Sequence, residues 1–273
     1  MERLMRLFAI SDLHVGYQAN REAISAISSR PSDWLALVGD VGELPEQLDF
    51  VFGILGRRFK QLVWVPGNHE LWTEPWKPGS ESSEERYARH LDVARRYGVI
   101  TPEDHYPEVE FGGDRYSLCP LFTLYDYSFR PANVALDQAI NWALEADVFC
   151  SDEARLKVQP YGSVVEWCRI RCTSTERRLR QLGGKRSILI GHFPLRYDLV
   201  TLPRIPRFSI WCGTQLTADW HQRFNAELVV FGHLHVPSVQ FRDGVRFEEV
   251  SLGYPGQRSK SADINQYVRQ VLP

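Results

Sequence analysis

Five short apolar runs mark the chain, and none of them alternates with polar residues. They lie at residues 7–10, 35–38, 62–65, 188–190 and 228–231. Strands covered on both faces show this pattern, because neither of their faces meets water. Within two residues of its end, each run is followed by a glycine or a polar residue. In layered α/β proteins the functional groups follow the carboxyl ends of strands, so we expect the polar residues after each run to form a site.

Helical periodicity lies between the apolar runs. We expect a helix over residues 20–29 with Asn20 as its N-cap, and a second helix that begins at Pro45. Apolar residues at helical spacing predict two further helices, over residues 83–97 and 163–182. Strands that alternate with helices predict an α/β fold.

The long connection between the third and fourth runs holds further structure. Residues 116–122 read as a strand, and an aromatic-rich portion follows them. We interpret that portion as helices laid over the predicted site, in a cap-like insertion at about residues 123–182. Residues 1–273 are otherwise expected to form a single domain, which their number permits.

The end of the chain predicts a β-hairpin and a tail. Residues 238–252 favour two strands that turn at Asp243 and Gly244. The polar tail from Gly256 is expected to be loosely held.

Composition is that of a globular enzyme, with 44% hydrophobic and 24% charged residues. The formal net charge of −2 provides no global positive field for nucleic acid, so a nucleic-acid partner is not expected. The first residues lack the long apolar region of a signal peptide, and no apolar stretch is long enough to cross a membrane. These features predict a cytoplasmic protein without a membrane partner.

Five cysteines are scattered along the chain, and no two are arranged as CxxC. Cys168 and Cys172 are four residues apart, so a disulfide between them and two buried free thiols are both open. We expect free thiols, which suit a reducing compartment.

Not counting His69, the candidate donors in the polar segments after the five runs are two carboxylates, one amide and four imidazoles. These side chains are Asp12, His14, Asp40, Asn68, His192, His233 and His235. The set is too large for one tetrahedral site and large enough for two cations that share a carboxylate. Each short motif alone also occurs as a turn or as a buried histidine. The remaining histidines, His90, His105 and His221, are expected to be surface or capping residues.

The order DxH, GD, GNHE, H and GHxH resembles the calcineurin-like metallophosphoesterases. The resemblance covers most of the chain from Leu7 to about Pro237, apart from the insertion. It implies a four-layer αββα sandwich of two mixed sheets flanked by helices, with a helical cap insertion. It also implies a phosphoesterase that depends on two divalent metal ions. Mn²⁺ is expected first, and Fe, Zn²⁺, Co²⁺ or Ni²⁺ are compatible with the same donors.

The resemblance also implies a role for each residue of the motifs. Asp12, His14 and His235 would hold one ion, Asn68, His192 and His233 the other, and Asp40 would bridge them. His69 and Asp40 would be the catalytic residues, with His69 stabilising the phosphorane or protonating the leaving oxygen. We expect Glu70 to orient His69 and Glu43 to be structural.

The substrate is predicted less sharply. Residues 124–131, 211–214, 219–221 and 250–255 are similar to a bacterial subgroup of the family that includes a phosphopantetheinyl hydrolase. This similarity implies a phosphodiester between pantetheine and a serine, with an acyl or peptidyl carrier protein as partner. Carrier proteins are acidic, so Arg130, Arg196 and Arg207 are candidate substrate or docking residues, together with Arg204.

Other functions fit the same motifs. The alternatives are a nucleotide or small-molecule phosphodiesterase or phosphatase, a nuclease, and a non-catalytic scaffold. A scaffold would have lost ligands or the active-site histidine, and all of them are present here. The aromatics of the insertion could stack a base, but we expect most of them to pack its own core.

Overall fold

The structure is a computed structural model that describes residues 5–258 and 262–273. The strands of this part, β1 to β10 in chain order, are Leu7–Ile10, Arg30–Val38, Phe59–Val65, Glu108–Phe111, Asp114–Pro120, Ser187–Ile190, Ala226–Phe231, Ser238–Arg242, Val245–Glu249 and Arg269–Leu272. Its α-helices, α1 to α7, are Gln18–Ser25, Pro45–Leu55, Ser83–Arg96, Ala139–Leu144, Asp152–Arg155, Val164–Arg180 and Trp220–Arg223. All five apolar runs lie in strands, as predicted.

The strands form two mixed sheets. The first has the order β10-β1-β2-β3, in which β1, β2 and β3 are parallel and β10 is antiparallel to β1. The second has the order β4-β5-β6-β7-β9-β8, with four parallel strands in the middle and an antiparallel strand at each edge.

Alternate side chains of each strand lie in different parts of the core. Leu7 and Ala9 of β1 pack with Ile188 and Ile190 of β6 in a cluster between the sheets. Phe8, on the opposite face of β1, belongs to the larger cluster that contains the helices. Both faces of these strands are therefore buried, which explains their uninterrupted apolar runs. The predicted αββα layering is confirmed.

Three predicted helices form close to their expected bounds. The helix α2 begins at Pro45, and its Leu48 and Phe52 are buried. The helices α3 and α6 lie within the residues predicted for them, and Ser163 caps α6 by accepting the N–H of Glu166 at 3.1 Å.

The prediction that Asn20 caps a helix over residues 20–29 is wrong. The helix α1 spans Gln18–Ser25, so Asn20 lies inside it. Its buried amide donates to the carbonyl oxygens of Leu13 at 2.8 Å and Gly253 at 3.1 Å. The residue therefore ties together two loops of the site described below.

The hairpin is confirmed, and the loose tail is not. The strands β8 and β9 turn at Asp243 and Gly244, which both have positive φ, as a two-residue type I′ turn requires. The end of the tail forms β10, whose Val271 and Leu272 are buried beside β1. The tail was expected to be loose because it is polar, but its few apolar residues complete the first sheet. Residues 259–261 of the predicted tail lie outside the described residues.

The insertion at residues 123–182 contains α4, α5 and α6. Its Tyr125, Phe129 and Trp167 are buried packing residues as expected, but they belong to the same hydrophobic cluster as the main body and not to a separate core of the insertion. The Trp167 ring lies 5.9 Å from the ring of Phe122, which places α6 against the main body. One domain with a cap at these bounds stays a prediction.

The five cysteines are free and buried, as expected. The sulfur atoms of Cys168 and Cys172 are 4.0 Å apart. Within residues 5–258 and 262–273, no helix has the length and apolar character needed to span a bilayer.

Candidate metal centre

The two sheets meet where the ligand-bearing strands end. Ser11, directly after β1, donates its backbone N–H to the carbonyl of Val250 at 3.0 Å and accepts that of Leu252 at 2.8 Å. These bonds join the first sheet to the segment that follows β9. Donors from both sheets are consequently brought to one edge of the sandwich.

Most of the predicted ligands have an uncommon backbone conformation. Positive φ values occur at Asp12 (55°), His14 (40°), Asp40 (51°), His233 (71°) and His235 (55°). Residues other than glycine adopt this left-handed region rarely, and such strain clusters at functional sites. Backbone bonds between the loops hold it in place, such as the one from His14 N–H to the Asp40 carbonyl at 2.9 Å.

One donor group consists of Asp12, His14 and His235. The Nε2 atom of His235 lies 3.0 Å from Oδ1 of Asp12 and 3.2 Å from Nε2 of His14. Nδ1 of His235 lies 2.7 Å from Oε1 of Gln257. The amide oxygen can only accept, so Nδ1 carries a proton, and Nε2 is the ring nitrogen that faces Asp12 and His14, where a metal would bind.

A second group consists of Asp40, His192 and His233. Nε2 of His192 lies 3.5 Å from Oδ2 of Asp40 and 3.3 Å from Nδ1 of His233. Nδ1 of His192 donates to the carbonyl of Val38 at 2.9 Å, which again leaves Nε2 for a metal. Oδ2 of Asp40 also lies 3.9 Å from Nε2 of His14 in the first group. Asp40 therefore stands between the two groups, where a bridging carboxylate is needed.

Asn68 adds a neutral oxygen donor. Its Nδ2 donates to Oδ1 of Asp152 at 2.9 Å. Its Oδ1 is buried and has no hydrogen-bond partner among the described residues. Carboxylate, amide oxygen and imidazole donors together fit two divalent ions of the borderline class.

Burial and mutual charge set the protonation of these groups. Burial, with the Asp12 and Glu70 charges, raises the pKa of Asp40 well above its usual value. Burial would also raise the pKa of Asp12, but His235 and the other imidazoles hold it well below its usual value. Burial lowers the pKa of His14 and His233 well below the usual imidazole value. These imidazoles are consequently neutral, as metal ligands must be.

His69 faces Asp40 from the start of a short 3₁₀ helix. Its Nε2 lies 3.7 Å from Oδ2 of Asp40 and 3.4 Å from the hydroxyl of Tyr254. Its ring packs on Trp72 with 3.6 Å between centroids, and its Nδ1 lies 3.6 Å from Oε1 of Glu43. An imidazole placed this way can exchange a proton with a group in the cleft through Nε2.

In the structure, Glu43 and Glu70 each have the role that was expected of the other. The Glu70 carboxylate is buried and accepts the backbone N–H of Asp40 at 2.9 Å and of Gly67 at 2.7 Å. The prediction that it orients His69 is wrong, because it holds together the two loops that carry the ligands. Glu43, expected to be structural, is the carboxylate that faces His69. This contact lowers the pKa of Glu43.

The sequence reasoning did not identify Ser251 and Glu249. The hydroxyl of Ser251 lies 2.6 Å from Oδ2 of Asp12 and also contacts Oε1 of Glu249. One hydroxyl proton cannot serve two carboxylates, so a second proton belongs to one of them. Burial raises the pKa of Glu249 to about 7, which makes it the holder. The sequence could have indicated them, because Glu249 and Ser251 are polar residues at the end of the strand β9, as the candidate ligands are at the ends of other strands.

Tyr254 and Asp152 were also not singled out. The ring of Tyr254 stacks on His14 with 4.3 Å between centroids and lines the cleft. Tyr254 lies within the 250–255 phrase that carried the subgroup resemblance, which could have indicated it. Asp152 lies in the insertion far from any motif, and no sequence signal pointed to it.

An open cleft of about 280 Å³ lies over the donor groups. Its polar lining consists of Asp40, Asn68, His69, His233, His235 and Gln257. Its apolar lining includes Phe149, Leu202, Ile205 and Phe208. Phe149 is 71% exposed. The cleft therefore offers polar contacts for a phosphoryl group and apolar contacts for a chain attached to it.

The candidate substrate arginines lie outside this lining. Arg130 donates to backbone carbonyls within its own loop. Arg196 binds Asp243 at 2.6 Å, and Arg207 binds Glu145 at 3.0 Å. Their charges are thus engaged by neighbours within the described residues.

Two of the three remaining histidines contradict expectation. His90 and His221 are buried instead of lying at the surface, whereas His105 is exposed as expected. Nε2 of His221 lies 2.9 Å from Oδ2 of Asp243, so it anchors the hairpin turn.

Comparison with known proteins agrees with this geometry. The model of the calcineurin-like phosphoesterase family matches residues 5–237. The acyl-carrier-protein phosphodiesterase PptH of Mycobacterium tuberculosis is 42% identical over 270 residues, which cover 98% of this chain and 83% of that protein. The crystal structure of phosphopantetheinyl hydrolase from Mycobacterium tuberculosis superposes with a TM-score of 0.92 and 41% identity, over 100% of this chain and 98% of that one. The chain therefore belongs to the calcineurin-like phosphoesterases, a family of metal-dependent phosphoric ester hydrolases.

Proposed function

We propose that this protein hydrolyses the phosphodiester that joins 4′-phosphopantetheine to a serine of an acyl or peptidyl carrier protein. The observation that carries the proposal is the 42% identity to an acyl-carrier-protein phosphodiesterase over 98% of the chain. A cleft lined by both polar and apolar side chains supports it, because the substrate has a phosphate next to a long, partly apolar arm.

Seven side chains would hold two divalent ions in this cleft. Asp12, His14 and His235 would bind one ion, Asn68, His192 and His233 the other, and Asp40 both. Two such ions would supply an activated water and neutralise the charge of the phosphoryl oxygens. We propose Mn²⁺ as the first ion to test, since the same donors admit Fe, Zn²⁺, Co²⁺ and Ni²⁺.

His69, assisted by Glu43, would protonate the leaving group. A phosphoryl group bound next to the donor groups would place the serine oxygen within reach of Nε2 of His69. We infer that the imidazole donates its proton to this oxygen as the P–O bond breaks. Glu43, 3.6 Å from Nδ1, would stabilise the cationic form that donates.

The apolar part of the cleft lining would hold the pantetheine arm. Leu202, Ile205 and Phe208 offer apolar contacts for its dimethyl group and its chain. Arg204 lies exposed on the same loop, with no hydrogen bond or ion pair to any described residue. An acidic carrier protein would find a complementary charge there. Five free thiols suit a reducing compartment, so we propose that the reaction takes place in the cytoplasm.

The test offers several phosphate esters to the same Mn²⁺-loaded protein. Holo-carrier protein, cyclic nucleotides, a chromogenic monoester and a short DNA are incubated in parallel, and mass spectrometry follows apo-carrier protein and free 4′-phosphopantetheine. We expect the carrier protein to give the highest kcat/KM. The substitution Ile205→Asp should weaken carrier turnover selectively, because it places a charge among the apolar lining residues, and should spare the chromogenic monoester.

Two results would contradict the proposal. Cyclic nucleotides turned over at higher kcat/KM than the carrier protein would favour the nucleotide phosphodiesterase. If chelator-treated and metal-restored protein turned over every substrate at the same rate, the reaction would not depend on metal and the proposal would be wrong.

A further inference from the structure

We propose that Asp152 of the helix α5 is a positioning residue, which orients a ligand of the second ion and a neighbour of His69. The inference rests on the ligand set proposed above and concerns a residue outside that set. Helix α5 lies in the insertion, so this carboxylate would connect the insertion to the metal centre.

The surroundings of Asp152 are unusual for a carboxylate. The residue is 1% exposed. Its Oδ1 accepts from Nδ2 of Asn68 at 2.9 Å and from Nε1 of Trp72 at 2.6 Å. Its Oδ2 is buried and has no hydrogen-bond partner among residues 5–258 and 262–273. A buried carboxylate with one unpartnered oxygen lowers stability, so a role in the site explains its presence better than packing does.

Asp152 fixes which way the Asn68 amide faces. A carboxylate oxygen can only accept a hydrogen bond, so the amide nitrogen must point to Asp152. The amide oxygen therefore points away from Asp152, where it is buried and has no partner in the described chain. An amide rotated by half a turn would present nitrogen to the metal, and nitrogen of an amide does not ligate. Asp152 thus selects the one orientation in which Asn68 binds an ion.

The same oxygen also holds the indole of Trp72. That ring packs on His69 with 3.6 Å between centroids and 31° between planes. The guanidinium of Arg155 lies 4.9 Å from the Trp72 ring. The indole is held at its N–H by Asp152, so it restricts the position of the imidazole that it covers. A single carboxylate therefore acts on both a metal ligand and the proposed proton donor.

The next residue provides a matched control. Glu153 lies in the same short helix and also accepts two hydrogen bonds, from Tyr127 Oη at 2.8 Å and Trp211 Nε1 at 2.7 Å. Neither donor forms a hydrogen bond or a ring contact with Asn68 or His69. A substitution at Glu153 loosens the same helix without removing a partner of the metal centre.

The experiment measures Mn²⁺ binding to metal-free protein by calorimetry and by electron paramagnetic resonance. Asp152→Leu should weaken the binding of the second ion about 10–100-fold, the usual effect of losing a partner that orients a ligand. Its resonance spectrum should change from that of a coupled pair to that of a single ion. Asp152→Asn keeps a hydrogen-bond acceptor without the charge. Its affinity for the second ion should fall roughly tenfold, at the low end of that range. Glu153→Gln should bind both ions as the unsubstituted protein does.

Several outcomes decide the matter. Parental affinity for both ions in folded Asp152→Leu would overturn the inference, as would an equal loss in Glu153→Gln. If Asp152→Leu does not fold, Asp152→Asn decides. Binding of both ions as in the unsubstituted protein would overturn the inference, and weaker binding of the second ion alone would support it. An unsubstituted protein that binds fewer than two ions would instead overturn the ligand set of the proposed function. Carrier-protein turnover is assayed separately and does not enter this comparison.

Discussion

The imidazole of His69 lies next to the donor groups, and its role can be separated from that of a ligand. Geometry alone would allow His69 to bind an ion with His14 and Asp40. We assign it to proton transfer because the other donors already complete two sites. The substitution His69→Ala should therefore keep two ions per chain and lower kcat about 10²–10⁴-fold, the usual contribution of a positioned acid. Metal analysis and turnover of a chromogenic phosphodiester measure both quantities.

The exposed His105 provides the control for this substitution. His105→Ala should leave both metal content and kcat as in the unsubstituted protein. Loss of an ion in His69→Ala, with kcat reduced in proportion, would make His69 a ligand and refute the assignment.

Glu249 should give metal-free protein a specific dependence of stability on pH. Burial raises its pKa in the folded state to about 7 from a usual value of 4.5. A carboxyl group with a raised folded pKa contributes stability that is fully present below the unfolded pKa and lost as pH rises through the folded one. The free energy of unfolding of the unsubstituted protein, relative to Glu249→Gln, should therefore fall between pH 4.5 and about 7. Urea unfolding in the presence of a chelator measures the difference.

The exposed Glu110 serves as the comparison for Glu249. Glu110→Gln should leave the pH profile of stability unchanged in this window. A constant difference between the unsubstituted protein and Glu249→Gln across the window would show that Glu249 keeps an ordinary pKa, and would remove it as the proton holder beside Ser251.

At this scale, the sequence predicted donor side chains that the structure brings together, and it was wrong about the groups around them. Asp12, Asp40 and His192 could be found because each is the second residue after an apolar strand, and the strand fixes where its end lies. Whether Glu43 or Glu70 faces His69 depends on how the loops fold over one another, which spacing does not reveal. Asp152 reaches the site from the insertion through contacts with residues some eighty positions earlier in the chain.

The loop after β3 depends on glycine in a way that the loop after β6 does not. A Cβ atom at Gly67 would lie 2.1 Å from Oδ1 of Asp40. The substitution Gly67→Ala should therefore displace the bridging carboxylate, with a cost of about 1–3 kcal/mol for overpacking. We expect it to lower metal stoichiometry and abolish turnover, as calorimetry and a phosphodiester assay can show.

Gly191 is the matched position, because it also directly precedes a proposed ligand. A Cβ atom there would lie 3.6 Å from the nearest atom, in Leu121, which is an ordinary contact. Gly191→Ala should keep both ions. Equal behaviour of Gly67→Ala and Gly191→Ala would mean that the loop adapts and that the close approach to Asp40 does not matter.

At the scale of elements, predictability followed burial. Strands such as β1 and β6 were evident because both of their faces are buried and both must be apolar. The strand β10 has only two buried residues, and its pairing with β1 is decided by tertiary structure. Asn20 was predicted to be an N-cap because asparagine is favoured at that position. Asparagine also serves as a buried amide that joins two loops, so the residue type alone does not distinguish the two roles.

The proposed ligands divide between the two halves of the sandwich. Asp12, Asp40 and Asn68 follow strands of the first sheet, whereas His192, His233 and His235 follow strands of the second. Ions bound between these groups would hold the two sheets together at this edge. The unfolded chain cannot offer such a site, so the free energy of binding adds to that of folding.

Metal removal should therefore lower the stability of the whole molecule. An ion present at 100 times its Kd contributes about 2.7 kcal/mol, and a chain of this size gains about 2–4 °C in Tm per kcal/mol. We expect Mn²⁺ to raise the Tm of chelator-treated protein by roughly 5–10 °C for each site occupied at that ratio. Asp40→Asn should lose most of this increment, since Asp40 is the residue shared by both groups, while its metal-free Tm stays close to that of the metal-free unsubstituted protein. Calorimetric scans of both proteins with and without Mn²⁺ give the four values, and an equal increment in the two proteins would show that Asp40 does not join the sites.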